Sequence, residues 1–444
     1  MNLEESCTNK FSKMSKMNYS GKLLNTFACL FFVIVFASSS IACEKHLVLD
    51  PAPLNQILDQ YVDNGIYPFI YSRIEDSGGR VIYEHSAVNS ELLPGTRLDG
   101  NTWFRIWSMS KLVTISIAMD LIEDGIIDAE DPVEKFIPEF KNLKVAVNNA
   151  GKSLAKLNPN NNPCPYVLVS TDSVLKINNL FNHTAGFYYA LTGFDCIDSL
   201  IVDTDIPNKK NADELINALA KLPIIQHPGE IYNYGLNTTV LGLLLERVTG
   251  ENLNDLVRDR ITEPHKINGF QYTLPVNASL IPCFTGRDGY LRKAMKGELN
   301  IFGETVPDYD QDNNLFLGGE GMLATAKGYI DFMRLLFYKN GSSEPVFLSK
   351  SSIGKMTLKP NVKHNDNGYQ TGYGFYLTSD TNPLEKSILR VGGYEKTGCW
   401  VDKKHQLIGS LFSQVNETTD RIGLGTKMDD DFKRELRSQL SRYE

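Results

Sequence analysis

The sequence predicts an α/β fold of the α+β kind, with one sheet assembled from both ends of the chain and a largely helical region inserted between them. Two observations carry this expectation. Strand-like runs lie near both ends, from Phe69 to Glu84 and from Gly372 to Ser413, while the text between about 130 and 340 reads as helix and long loop. Strands separated by such an insertion bury their apolar faces by sharing a sheet that helices cover.

The elements follow in order. Lys10, Lys13, Lys16 and Lys22 precede an apolar run from Phe27 to Ala37, and then Ser38-Ser39-Ser40-Ile41-Ala42-Cys43. This charged, apolar, small-residue order is that of a secretory signal peptide over residues 1–42, cut before Cys43. The apolar run is too short to span a bilayer comfortably. Export to the periplasm or the medium is therefore expected. Ile41-Ala42-Cys43 also resembles a bacterial lipobox, which would tie the protein to a membrane through a lipidated Cys43.

Beyond it, Leu54, Ile57, Leu58, Tyr61 and Val62 recur at helical spacing. Phe69 to Ile74 and Arg80 to Glu84 read as strands joined at Asp76-Ser77-Gly78-Gly79. A helix follows Ser108 and ends near Gly125, a C-cap residue type. Asn-rich 157–163 and the stretch 281–315 read as insertions. Past Leu348 the chain returns to strands at Gly372 to Leu377, Ser387 to Val391, Thr397 to Val401 and Leu407 to Ser413. A charged helix over 427–444 closes it. The main domain is placed at 50–420, with the helical part inserted at roughly 130–340.

Bulk properties narrow the partners. A net charge of −8 and a pI near 5.5, without a dense Lys/Arg block, argue against nucleic acid. Of the seven cysteines, Cys7 and Cys29 fall in the signal. Cys43, Cys164, Cys196, Cys283 and Cys399 match no zinc or C-x-x-C spacing. Cys164 and Cys196 flank loop-rich sequence and could pair in an oxidising compartment, although a free thiol is the commoner fate of any single cysteine.

The chemistry is concentrated at Phe104-Arg105-Ile106-Trp107-Ser108-Met109-Ser110-Lys111. Ser108 and Lys111 form an S-x-x-K pair, and at i,i+3 in a helix both side chains share a face. A serine hydroxyl needs a nearby base to become a nucleophile, and a partly desolvated lysine can serve. Proton traffic in acyl transfer calls for a second titratable partner, for which Tyr234 in HPGEIYNYGLNTTVLG is the candidate.

The nucleophile segment FRIWSMSKLVTISIAMDLIEDG, together with LFNHTAGF (180–187), HPGEIYNYGLNTTVLGLLLERVTG (227–250), LGGEGMLATAKGYIDFMRLL (317–336) and the Gly392–Gln414 run, resembles the serine β-lactamase and penicillin-binding-protein superfamily. The likeness is greatest to its class C-like branch, which includes family VIII carboxylesterases. The resemblance implies a β-lactamase/DD-peptidase-like fold, an antiparallel sheet flanked by helices with an all-helical subdomain, and a cleft between them. It implies Tyr234 as catalytic tyrosine, and backbone N–H groups of Ser108 and Tyr394 as an oxyanion hole. No metal or organic cofactor is implied.

Two departures bear on substrate. Where many relatives have Tyr-x-Asn, this chain has Tyr234-Gly235-Leu236, with Asn237 one place later. Lys396-Thr397-Gly398 spells the family's K-T-G motif, yet that motif is expected to open a longer strand, so Val391-Gly392-Gly393 is placed there instead, as in the W-G-G of esterase-like members. Val391, Gly392, Gly393 and Trp107 are then the expected substrate contacts, and Val391 supplies no cation for a substrate carboxylate. A neutral ester or amide is the expected substrate, with a carboxylesterase leading, ahead of a β-lactam or a D-amino-acid peptide. The rival from another class is a non-catalytic protein that binds cell-wall ligands. His183 reads as structural.

Overall fold

The computed structural model describes residues 47–443 apart from 162–163, 296, 300–301, 303–308, 359–369, 378–387 and 420–426. The expected signal segment over 1–42 and Cys43 lie outside the described residues. Residues 47–444 form one compact unit.

The principal sheet contains β1 (Phe69–Asp76), β2 (Val81–Val88), β3 (Gln370–Thr371), β4 (Tyr376–Leu377), β5 (Ile388–Gly393), β6 (Thr397–Asp402) and β7 (Leu407–Phe412), in the order β3-β4-β5-β6-β7-β1-β2. Every pairing is antiparallel. The first hairpin thus docks onto the last strand, with Tyr71 opposite Phe412 and Asp76 opposite Leu407. β7 is buried along its whole length, and its one polar side chain, Ser410, donates to Arg73 O on β1. The β1–β2 turn forms where expected because Asp76 Oδ1 accepts from Gly78 N at 3.0 Å and Arg80 N at 2.9 Å, a local bond that short acidic side chains favour.

Helices cover this sheet. Pro51–Asp63, capped by the Asp50 carboxylate, buries Leu54, Leu58, Tyr61 and Val62 and packs against β1, β2 and the C-terminal helix Met428–Leu440. Ala326–Phe337 packs on β1, β6 and β7. The helix Ser110–Glu123 is buried at every position from Ser110 to Met119. Its polar side chains need partners inside the protein, since an unpaired buried polar group is costly. The segment 318–322 supplies several: Thr114 Oγ1 donates to Gly318 O at 2.7 Å, and Met322 N donates to Ser110 Oγ at 3.1 Å.

The inserted region holds short helices, the longest Asn237–Thr249, but it is not all-helical as expected. Strand pairs Lys144–Val147/Val167–Ser170 and Phe284–Thr285/Arg292–Lys293 lie within it. A small sheet also joins Trp103–Arg105, Leu323–Thr325 and Phe270–Gln271. Pairing of a β-branched run such as Val167–Ser170 depends on a distant partner, which helical periodicity alone does not reveal. Cys164 and Cys196 form a disulfide; Cys283 and Cys399 are free.

Candidate active site

Ser108 sits in a 3₁₀ turn, Trp107–Met109, that runs directly into the buried helix. The residue before it, Trp107, takes φ of 47°, a left-handed conformation costly for a bulky side chain and usually found where the surroundings enforce it. Lys111, one turn on, is 3% exposed. Its Nζ donates to Ser108 Oγ at 3.2 Å, Tyr189 Oη at 2.9 Å, Gly319 O at 2.8 Å and Glu320 Oε1 at 3.1 Å.

Tyr234 reaches the same serine. Its Oη lies 2.7 Å from Ser108 Oγ, and both groups are hydroxyls that can donate or accept. Lys111 Nζ sits 5.0 Å from the Tyr234 ring centroid, within the range at which a cation is attracted to an aromatic face. The tyrosine is aimed by its neighbours. Gly235 passes so close to Phe187 O and Tyr188 Cα that a Cβ would collide with them. His183 packs against the Tyr234 ring at 4.9 Å between centroids.

His183 is buried, and that burial, reinforced by the Lys111 charge, pushes its imidazole down to about 3. It is therefore neutral, and Asn237 Nδ2 donates to its Nδ1 at 3.1 Å. Asn237 is itself fully buried. The asparagine displaced by one place from the Tyr-x-Asn pattern thus supports His183, and Leu236 at the motif position is core.

The strand β5 brings the expected third motif to the turn that holds Ser108, but at its end. Gly393 closes β5, against the expectation that the motif would open a longer strand. A Cβ on Gly393 would strike Ile106 O and Thr397 Oγ1, so the backbone passes the Ser108 turn at a distance only glycine permits. Lys396 is exposed in the turn that follows, with φ of 64°. Val391 is buried among core residues, and Trp107 is 1% exposed with its indole Nε1 donating to Glu395 Oε2 at 2.7 Å. Both were expected to touch substrate; both are instead packed inside, and Trp107 braces Tyr394 ring to ring at 5.6 Å.

Sequence reasoning missed Glu320, Tyr189, Thr239 and Glu395. Glu320 is fully buried and receives Lys111, the Tyr189 hydroxyl and Thr239 Oγ1, the last at 2.5 Å. Gly318 and Gly319 let that loop run against the helices carrying Thr238 and Lys111. The only signal was an acidic residue within the otherwise small and apolar GGEGM. Among the described residues, no group of His, Cys, Asp and Glu could hold a metal ion.

The family model for beta-lactamase matches residues 77–430. The chain belongs to that family. Among curated relatives, Protein Rv1367c of Mycobacterium tuberculosis is 26% identical over 318 residues, covering 69% of this chain and 73% of its own. Esterase EstB of Burkholderia gladioli is 24% identical over 189 residues, 42% of each chain. Among solved structures, EstCE1, a hydrolase with promiscuous acyltransferase activity, superposes with a TM-score of 0.70 at 18% identity, covering 87% of this chain and 97% of its own. The simvastatin synthase LovD of Aspergillus terreus gives 0.68 at 19% identity, covering 88% and 99%. These likenesses establish the β-lactamase/DD-peptidase fold, and the family's members are serine hydrolases and acyltransferases.

Proposed function

We propose that this protein is an exported carboxylesterase that works through an acyl-enzyme on Ser108. The carrying observation is that Ser108 Oγ lies within hydrogen-bond reach of both Lys111 Nζ, at 3.2 Å, and Tyr234 Oη, at 2.7 Å. In this reading Ser108 Oγ attacks the ester carbonyl while its proton passes to the Tyr234–Lys111 pair, which then delivers it to the departing alcohol. Water, its proton taken by the same pair, frees the acid and restores the serine. The Ser108 and Tyr394 N–H groups hold the developing oxyanion, and Gly392 and Gly393 let the substrate lie along β5.

An ester is favoured over a β-lactam or peptide because Val391 is core and Asn237 is committed to His183. Neither offers a substrate carboxylate or side-chain amide a contact. Acyl transfer to an alcohol in place of water uses the same first half-reaction. A panel of p-nitrophenyl esters, nitrocefin and a D-Ala-D-Ala peptide, with and without an added alcohol acceptor, separates these. Ser108→Ala is expected to abolish turnover and to gain no acyl or fluorophosphonate adduct by intact mass. A full adduct on that variant would remove Ser108 as nucleophile, and an unlabelled, inactive native protein would favour a cleft that only binds cell-wall ligands.

A further inference from the structure

Outside the groups that touch Ser108 Oγ, a second buried cluster joins the nucleophile turn to the turn after β5. Segment 413–415, which continues β7, grips both. The Gln414 side chain accepts from Arg105 N at 3.0 Å and donates to Arg105 O at 3.2 Å, fixing the backbone two residues before Trp107. On its other side Ser413 N donates to Lys396 O and Val415 N to Glu395 O, each at 3.2 Å. Gln414 and Glu395 are both fully buried.

The ring is closed by one side-chain bond, from Trp107 Nε1 to Glu395 Oε2 at 2.7 Å. Trp107 immediately precedes Ser108, and Glu395 immediately follows Tyr394. We propose that Glu395 is a positioning residue that, through Trp107, sets the distance between the Ser108 and Tyr394 backbone N–H groups and so the shape of the oxyanion hole. This rests on the assignment of those two N–H groups above. The left-handed Trp107 supports it: a strained residue persists only where its surroundings over-determine it, and the indole is held at its nitrogen by Glu395 and on its ring by Tyr394.

Burial also pushes the Glu395 carboxyl up from the ordinary carboxylate range, against the opposing pull of Arg105 and the indole. A glutamine there keeps an oxygen to accept from the indole and loses only a charge that burial already disfavours.

The test compares Glu395→Ala, Glu395→Gln and Trp107→Phe with the native protein and Ser108→Ala. A misplaced oxyanion donor costs on the order of 100-fold in kcat. Glu395→Ala and Trp107→Phe are expected to lose roughly that in kcat for a p-nitrophenyl ester and a matching factor in affinity for a boronic acid, which forms a tetrahedral adduct, with KM within about two-fold. The double variant should be no worse than either single one, and Glu395→Gln should stay within about three-fold of native. Native rates in Glu395→Ala would overturn the proposal. So would equal losses in Glu395→Ala and Glu395→Gln, or a defect confined to KM. If Glu395→Ala proves unstable, Trp107→Phe and Glu395→Gln decide by the same ratios. Retained turnover in Ser108→Ala would instead defeat the reading of the nucleophile, a separate result.

Discussion

Glu320 turns the lysine of the S-x-x-K pair into half of a buried ion pair. The two side chains are 4% and 1% exposed, so removing one partner strands the other's charge away from water. Glu320→Ala is expected to cost about 3–5 kcal/mol of unfolding free energy, read by urea titration. Glu320→Gln, which still accepts from Tyr189 or Thr239, should cost less. His183 makes a second prediction at this scale. Its folded pKa is depressed to about 3 from an unfolded value near 6.5, so between those limits the unfolded chain binds a proton that the folded protein refuses. The stability from keeping this ring neutral is present above the unfolded value and drains away as pH falls below about 6.5, at up to about 1.4 kcal/mol per pH unit. His183→Gln should flatten that part of a Tm-versus-pH curve, and an unchanged slope would count against a neutral buried ring.

What could be read in the residues divides along a physical line. Ser108, Lys111 and Tyr234 lie in motifs whose local spacing survives in the text, and the structure brings the three together. Glu320 and Glu395 act through partners 209 and 288 positions away, and no local pattern encodes such a meeting. Val391 and Trp107 were assigned to the cleft by alignment, which gives a place along a strand or turn but not whether the side chain reaches solvent. Cys164 and Cys196 were legible as a candidate pair, but spacing could not choose between a bond and two thiols.

At the scale of elements, the site depends on backbones that pass closer than side chains allow. The strands of the principal sheet at 69–76, 388–393, 397–402 and 407–412 were foreseen to within a few residues, whereas the short strands of the inserted region were not. The approach distances between elements were not foreseen either, because a glycine in a sequence does not say what lies opposite it. Gly235 is the sharpest instance, wedged on Phe187 O and Tyr188 Cα next to Tyr234. Gly235→Ala is expected to destabilise by about 1–3 kcal/mol through overpacking and to lower kcat more than a surface change of equal stability cost, because the displaced group is the tyrosine beside Ser108. A thermal melt paired with ester kinetics reads both, and full activity at native Tm would show that the loop yields freely.

Over the whole molecule, the expected two-ended sheet is present, with the single strand expected at Gly372–Leu377 replaced by the short strands β3 and β4 at its edge. The 1–42 signal remains an expectation, since those residues lie outside the described part. The disulfide between Cys164 and Cys196 suits an oxidising compartment. Protein recovered from the medium or periplasm is therefore expected to begin at Cys43 and to leave Cys164 and Cys196 unalkylated until reduced. One non-reducing mass measurement reads both, and a diacylglyceryl increment on Cys43 would reveal a lipid anchor in place of free release.

The seam between β1 and β7 has a consequence for how the chain is made. Ser410 Oγ donates to Arg73 O across 337 positions of sequence, so the sheet's centre joins segments made far apart in time. Until the later strands are made, the opening hairpin has no partner strand on its β1 edge, and the helix after Ser108 has no finished sheet to lie against. A nascent chain of this design cannot mature in halves. Ser108 therefore lies against an unfinished sheet until those strands have been made.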